Sequence, residues 1–202
     1  MKIFFASIIS ALLFINCSDT NSKSAFEGTA PKHETAPVGT ISSQSVYMLP
    51  DTFQTQDNKN VTLASFAGKP TLVGMIFTNC TYACPRLTAD MKAIEQQLKE
   101  KNGEINYLLV SFDSQRDGPP QLKKFAENSG LDKNWTLLHG SEDAVRTLSV
   151  LLNVQFEKDG EGNFSHSNII SVLDKDGVLV YQKEGLEAEH EQTVSTVSQL
   201  VP

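Results

Sequence analysis

Two cysteines, Cys80 and Cys84, are separated by three residues, and Pro85 follows directly. This spacing lets both sulfur atoms reach one point, so the pair could form a structural disulfide, exchange disulfides with another protein, or bind a soft metal ion. Because proline suits the start of a helix and disfavours helical backbone in the residue before it, we expect Cys80 in a loop and Cys84 at a helix N-terminus. There the helix dipole and free N–H groups favour thiolate over thiol, and Arg86 adds positive charge.

The cysteine pair lies between a predicted strand and a predicted helix. Thr71–Phe77 is a nearly continuous apolar run, which is typical of a strand buried on both faces of a sheet. Four apolar residues then recur at helical spacing and predict an amphipathic helix: Leu87, Met91, Ile94 and Leu98. Working loops in α/β domains lie at the carboxyl ends of strands, and the cysteine loop occupies such a position.

His166 is the third residue with suitable chemistry. It follows a predicted hairpin turn at 159–165 and immediately precedes the apolar run Asn168–Leu173. In a thioredoxin arrangement the chain entering that strand passes beside the cysteine loop, so a metal there would meet two thiolates and an imidazole. These ligands suit copper, with Cu(I) in three-coordinate geometry, whereas Zn²⁺ would require a fourth ligand or a water. We interpret His33 as a linker residue, and His139 and His190 as surface residues.

Strands and helices alternate over residues 45–202, which predicts one α/β domain. Two strand–helix units, a hairpin and a final helix near Glu187–Leu200 give a thioredoxin-like mixed sheet with helices on both faces. Two additions are expected: an N-terminal hairpin that turns at Asp57–Asn60, and an inserted strand and helix over Trp135–Leu152. The segment Val46–Leu49 is predicted to be extended.

The N-terminus is predicted to carry a signal peptide over residues 1–16. Lys2 precedes a 13-residue apolar segment, Ile3–Ile15, which is shorter than the about 20 residues that span a bilayer. Cys17 follows as in a bacterial lipoprotein signal, so we expect Cys17 to be lipidated; the alternative is secretion with Cys17 removed or left as a free thiol. Residues 17–44 are rich in small and polar residues and predict a flexible linker.

A lipid on Cys17 would leave Cys80 and Cys84 as a pair in an oxidising compartment. We therefore expect an exported lipoprotein, anchored in the membrane by its lipid and facing the periplasm or the cell exterior. The net charge is −7, and no stretch concentrates Lys and Arg. This charge argues against a nucleic-acid partner and against peripheral binding to anionic lipid.

Three segments, in this order, resemble the Sco/SenC family of copper-binding assembly proteins. Thr78–Pro85 resembles the family's cysteine motif, and Val110–Pro119 is similar to its strand-and-loop signature. His166-Ser167, followed by an apolar strand ending at Leu173–Gly177, is similar to its Asp-His-Ser segment. The resemblance extends from about Met48 to Glu184, and Thr81, Tyr82 and Ser165 depart from it because the family commonly has Pro, Asp and Asp there.

The resemblance implies a thioredoxin-like fold and copper, as Cu(I) or Cu(II), held by Cys80, Cys84 and His166. It also implies delivery of the copper to a membrane-associated acceptor, such as the cytochrome oxidase subunit with the dinuclear copper centre. Such a chaperone needs no turnover chemistry and is not an enzyme.

Some family members resemble thiol-disulfide reductases instead, and that alternative would use Cys80 and Cys84 on a partner's cysteines and require a thiol reductant partner. A thioredoxin-type enzyme would place a cis-proline before the strand facing the cysteines, where this chain has Ser167-Asn168. In the loop before the second helix, Asp113, Arg116 and Asp117 could steer a partner, or form a salt bridge and cap that helix.

Overall fold

A computed structural model describes residues 44–186 and 189–201. The predicted signal peptide, Cys17, His33 and nearly all of the predicted linker lie outside these residues. Within the described ranges, no helix combines the length and the apolar composition that crossing a membrane requires.

The main sheet has seven strands: β1 Thr52–Thr55, β2 Asn60–Thr62, β3 Thr71–Ile76, β4 Asn106–Ser111, β5 Trp135–His139, β8 Ile169–Leu173 and β9 Leu179–Glu184. Their order in the sheet is β2-β1-β5-β4-β3-β8-β9. Strands β3, β4 and β5 are parallel, and the remaining pairings are antiparallel. A separate two-stranded hairpin consists of β6 Phe156–Lys158 and β7 Phe164–His166.

Four α-helices accompany the sheet in the described chain: α1 Ala83–Gln97, α2 Pro119–Asn128, α3 Glu142–Leu151 and α4 Glu191–Leu200. The described chain also has three short 3₁₀ helices. Val46–Met48 and Leu63–Phe66 precede α1, and Lys99–Glu104 follows it. The helix α4 begins at Glu191, a few residues later than predicted.

The helices lie on both faces of the sheet. On one face α1 packs so closely on β3 that a Cβ added to Gly74 would lie 2.8 Å from the Sδ atom of Met91. Ser171 pairs with Val73, the neighbour of Gly74, and therefore faces the other side. There Gln182 donates hydrogen bonds to Ser171 Oγ and to the carbonyl oxygen of Leu152, which is the C-cap of α3.

These elements confirm the predicted α/β thioredoxin-like sheet. The N-terminal hairpin is present as β1 and β2, and the inserted strand and helix are β5 and α3. The prediction of an extended segment at Val46–Leu49 is wrong, because Val46–Met48 forms a 3₁₀ turn whose first N–H groups are capped by Ser45. The Oγ atom of Ser45 accepts a hydrogen bond from the N–H of Tyr47.

Candidate metal site

The cysteine loop connects β3 to α1. The N–H of Cys80 donates to the carbonyl oxygen of Phe77 at 3.2 Å, which closes a turn directly after the strand. Cys84 lies in the first turn of α1, as predicted, but Pro85 is the third helical residue rather than the first. Proline is tolerated there because N–H groups in the first turn have no intrahelical partner.

The hairpin of β6 and β7 brings His166 to the cysteines. Its Nε2 atom lies 3.6 Å from Cys84 Sγ, and one ligand atom from each of Cys80, Cys84 and His166 lies within 4.8 Å of the others. The other ring nitrogen, Nδ1, is 3.0 Å from the carbonyl oxygen of Ser167. A carbonyl oxygen only accepts hydrogen bonds, so Nδ1 carries the proton and Nε2 keeps a lone pair that faces the sulfur atoms.

The two sulfur atoms have different surroundings. Cys84 is fully buried and its Sγ accepts the N–H of Phe77 at 3.4 Å. Cys80 is half-buried and its Sγ accepts the N–H of Cys84 at 3.3 Å. The pair therefore consists of an inner and an outer thiol.

The pKa values of the thiols diverge accordingly. Burial raises the pKa of the Cys84 thiol far above its usual value, and the neighbouring Cys80 raises it further. Burial also raises the pKa of Cys80, but the N–H groups of Cys84, Tyr82 and Ala83 outweigh it and leave that pKa below its usual value. The prediction of a thiolate at Cys84 is wrong because burial exceeds the helix-end effect, and Cys80 is the thiol that the helix start favours as thiolate.

His166 is enclosed by aromatic side chains. Its ring centroid is 4.8 Å from that of Phe112, and Phe77 meets it edge-on at 6.2 Å. Phe156 and Phe164 complete the cluster. Burial lowers the pKa of His166 below its usual value, although the Ser167 carbonyl opposes this, so the imidazole is neutral at pH 7 and in the form that binds metals.

An open groove of about 350 Å³ gives access to the site. The cysteine loop and the hairpin form its walls with, among others, Cys80, Tyr82, Asn163 and His166. Cys84 does not line it. A group entering from solvent therefore meets the outer thiol and the imidazole first.

Arg86 contacts Tyr82, a residue of the cysteine loop. Its guanidinium carbon lies 3.9 Å from the ring centroid of Tyr82, a residue that is 64% exposed at the groove. The guanidinium stacks on this ring, and N–H groups of the backbone stabilise the Cys80 thiolate. The effect of the Arg86 charge on the thiols stays a prediction.

Asp117 is more closely tied to the site than the sequence suggested. Its carboxylate is 1% exposed and accepts hydrogen bonds from Thr78 N–H at 2.7 Å, Thr78 Oγ1 at 2.6 Å and Ser111 Oγ at 2.6 Å. The predicted salt bridge between Asp113 and Arg116 is present. The predicted capping of α2 is not, because Gly118 is its N-cap and no side chain caps it. The sequence signal for this role was that Asp117 comes only a few residues after the end of an apolar strand.

The two other histidines of the described residues, His139 and His190, do not belong to the group formed by Cys80, Cys84 and His166. His139 is half-buried at the end of β5. The prediction of a surface residue is wrong for His190, whose side chain is 14% exposed and lies 3.6 Å from Asp90. Asp90 in turn lies 3.6 Å from Lys183, so three ionisable groups share a buried cluster between α1, β9 and α4.

The protein is therefore a thioredoxin-like α/β domain in which two cysteines and a histidine converge beyond the end of the central strand β3. The chain itself is a member of the SCO1/SenC family, whose family model matches residues 42–201.

Individual relatives agree with this assignment. The chain is 35% identical to the SCO1 protein homolog of Bacillus subtilis (strain 168) over 145 residues, which cover 68% of this chain and 74% of that protein. A solved structure of BsSco, a member of the Sco family of cytochrome c oxidase assembly proteins in which a disulfide switch was identified, is 31% identical. The two structures superpose over 79% of this chain and 96% of the BsSco chain, with a TM-score of 0.66. Bradyrhizobium japonicum ScoI with copper bound has the same fold, with 24% identity, a TM-score of 0.65 and coverage of 75% of this chain and 97% of ScoI.

Proposed function

We propose that this chain is a copper chaperone that binds one copper ion through Cys80, Cys84 and His166 and delivers it to a membrane-associated partner. The observation that carries this proposal is the convergence of one ligand atom from each residue within 4.8 Å. Membership of the SCO1/SenC family and the fold shared with copper-bound ScoI support copper as the metal.

The chemistry of the ligands favours copper over the common alternatives. Thiolates and imidazole are ligands for Cu(I), which accepts three-coordinate geometry, and an imidazole also suits Cu(II). Structural zinc requires four ligands, whereas the group found among the described residues has three: Cys80, Cys84 and His166. The proton on His166 Nδ1 leaves Nε2 as the ligand atom.

The groove provides a route for transfer. Cys80 and His166 line it, whereas Cys84 lies behind them. A thiolate or imidazole of the acceptor would displace Cys80 or His166 from copper first, while Cys84 holds the ion. The proposed acceptor is the copper centre of cytochrome oxidase, because BsSco belongs to a family of cytochrome c oxidase assembly proteins.

A lipid on Cys17 would place this transfer at the membrane surface, on the periplasmic or extracellular side. The apolar segment before Cys17 and the small, polar residues after it support this part of the proposal. Replacement Cys17→Ser should release the protein from the membrane fraction, and Ser18→Ala serves as the matched control. Retention of the Cys17→Ser protein in that fraction would contradict the lipid anchor.

The unequal thiols favour a second candidate function, thiol-disulfide exchange. The Cys80 thiolate would attack a partner disulfide, form a mixed disulfide and release one partner thiolate, which takes up a proton. Cys84 would then lose its proton and attack Cys80 Sγ, which frees the second partner sulfur and leaves a Cys80–Cys84 disulfide. A thiol reductant partner would have to reduce that disulfide before the next cycle. His166 is not needed for these steps.

Titration with Cu(I) separates the two functions. The reduced full-length protein should bind one equivalent of Cu(I) in competition with a chromophoric chelator, and His166→Ala should weaken binding at least about tenfold. His33→Ala, which removes a histidine of the predicted linker, is the control. Unchanged affinity in His166→Ala would overturn the three-ligand site, and no binding together with reduction of insulin disulfides would favour the exchange function.

A further inference from the structure

One short loop contacts both halves of the candidate site. The bridging loop, Asp113–Asp117, connects β4 to α2 and belongs neither to the cysteine loop nor to the hairpin. The side chain of Asp117 reaches the cysteine loop, and the side chains of Arg116 and Gln115 reach the hairpin.

Asp117 makes the contact with the cysteine loop. Its carboxylate accepts both the N–H and the hydroxyl group of Thr78, two residues before Cys80. Ser111, at the end of β4, donates to the same carboxylate. A buried carboxylate with three hydrogen-bond donors is fixed in position, so it restrains the backbone that leads into Cys80.

Arg116 makes the contact with the hairpin. Its Nε atom bonds the carboxylate of Asp113, which is 1% exposed, and a second guanidinium nitrogen donates to the carbonyl oxygen of Gly162. Gly162 lies in the turn between β6 and β7, with φ of +84°. The guanidinium therefore joins the hairpin turn to a buried carboxylate of the bridging loop.

The hairpin needs such an attachment because it stands outside the main sheet. Strands β6 and β7 pair only with each other among the described strands, and an isolated two-stranded hairpin is marginally stable in water. Its aromatic residues pack on Phe112 and Phe77, but apolar packing alone does not fix the turn. The attachment through Arg116 limits how far β7, and His166 with it, moves from the sulfur atoms.

We propose that Arg116 and Asp117 are positioning residues that set the spacing between His166 and the cysteines, so that one metal ion meets all three ligands. This inference rests on the proposed copper site. Because the two residues are adjacent, the cysteine loop and the hairpin are held by a single segment at the end of β4. Neither residue touches the sulfur or imidazole ligand atoms.

Charge steering of a partner is the competing explanation for Arg116, and Arg116→Lys separates the two. Lysine keeps the positive charge, but it lacks the planar guanidinium group that contacts the Asp113 carboxylate and the Gly162 carbonyl oxygen at the same time. Positioning predicts that Arg116→Lys and Arg116→Gln both weaken Cu(I) binding by about 10- to 100-fold, which is typical for partners of metal ligands. Steering predicts wild-type affinity for Arg116→Lys.

Double mutants with His166→Ala test whether Arg116 acts through the hairpin and Asp117 through the cysteine loop. The Arg116→Gln effect on Cu(I) affinity should vanish when His166 is already absent, whereas the effect of Asp117→Asn should remain because it acts through the cysteine loop. Lys123→Gln, which removes an exposed ion pair with Asp57, is the control for loss of a positive charge and should bind as wild type. Additive effects of Arg116→Gln and His166→Ala would overturn the assignment.

A readout without metal keeps this inference separate from the copper proposal. In the reduced metal-free protein, Arg116→Lys should shift or broaden the His166 ring signals in NMR spectra, and Asp117→Asn should change the alkylation rate of Cys80. If the wild type binds no Cu(I), the proposed function fails while these two measurements still decide the positioning role. Unchanged His166 signals in Arg116→Lys and an unchanged Cys80 rate in Asp117→Asn would overturn it.

Discussion

Cys84 Sγ and His166 Nε2 lie 3.6 Å apart, although 82 positions separate the two residues in the chain. The sulfur atom belongs to the first turn of the helix that follows β3, and the imidazole belongs to a hairpin outside the main sheet. The hydrogen bond from His166 Nδ1 to the Ser167 carbonyl orients the ring so that its lone pair faces the sulfur. A buried thiol and a neutral imidazole thus meet with geometry suited to sharing a metal ion.

The first prediction concerns the order in which the cysteines react. Cys80 is more exposed and has a lowered pKa, whereas burial raises the pKa of Cys84. Iodoacetamide at pH 7.5 should therefore modify Cys80 at least about tenfold faster than Cys84. Peptide mass mapping of the reduced Cys17→Ser protein measures both rates. Equal rates, or faster modification of Cys84, would contradict the assignment of inner and outer thiols.

The second prediction concerns protons released on copper binding. At pH 7 the raised pKa of Cys84 keeps its thiol protonated and the lowered pKa of His166 keeps its ring neutral. Binding of both thiolates should release between about one and two protons, so Cu(I) affinity should rise with pH. The dependence should steepen only in more acidic solution, when the pH falls through the lowered pKa of His166 and its ring takes up a proton.

A weakly buffered solution with a pH indicator measures these protons directly. The Cys84→Ser variant should release about one proton fewer than the wild type, since the proton of the buried thiol is no longer displaced. An affinity that falls with rising pH between 6 and 8 would be incompatible with binding through the two thiolates.

The third prediction concerns the contact between α1 and β3. An alanine at position 74 would place its Cβ 2.8 Å from Met91 Sδ and 3.1 Å from a methyl group of Leu109. Gly74→Ala should lower the free energy of unfolding by about 1–3 kcal/mol, which is typical for overpacking. Urea denaturation measures the loss. Gly103→Ala, where an added Cβ meets no atom within 4 Å, is the control, and equal stability of the two variants would disprove the tight contact.

The fourth prediction concerns the buried cluster around Asp90, in the middle of α1. Lys183 is 5% exposed and its Nζ lies 3.6 Å from Asp90. Lys183→Met removes a positive charge beside the buried carboxylate of Asp90, so less of that negative charge is neutralised. The substitution should lower the free energy of unfolding by about 3 kcal/mol. Lys175→Met, which breaks an exposed pair with Asp176, should leave stability unchanged in the same urea titration. Equal effects of the two substitutions would show that the Lys183 pair is not desolvated.

Much of the site could be predicted from sequence because its signals are local. The apolar run before the cysteines, the proline after them and the turn before His166 each define an element within a few residues. The order of strands and helices then limits the topology enough to bring His166 beside the cysteine loop, which the structure confirms.

The properties that depend on tertiary packing were not predictable in this way. The helix start argued for a thiolate at Cys84, but the packing of α1 on β3 buries that sulfur completely. The role of Asp117 depends on Thr78, which lies 39 positions before it in the chain. His190 has a partner, Asp90, that is 100 positions away in the chain. No local pattern records these neighbours.

The separation of the β6–β7 hairpin from the seven-stranded sheet has a consequence for how the ligands could be released. Such a unit could open by local unfolding while the parallel strands β3, β4 and β5 stay paired. Opening would withdraw His166 and leave Cys80 and Cys84 in place, so a three-ligand site would become a two-ligand site without melting the core. The hydrogen bonds of Arg116 and Gln115 to the hairpin, together with one aromatic cluster, would then set how long the three side chains stay together.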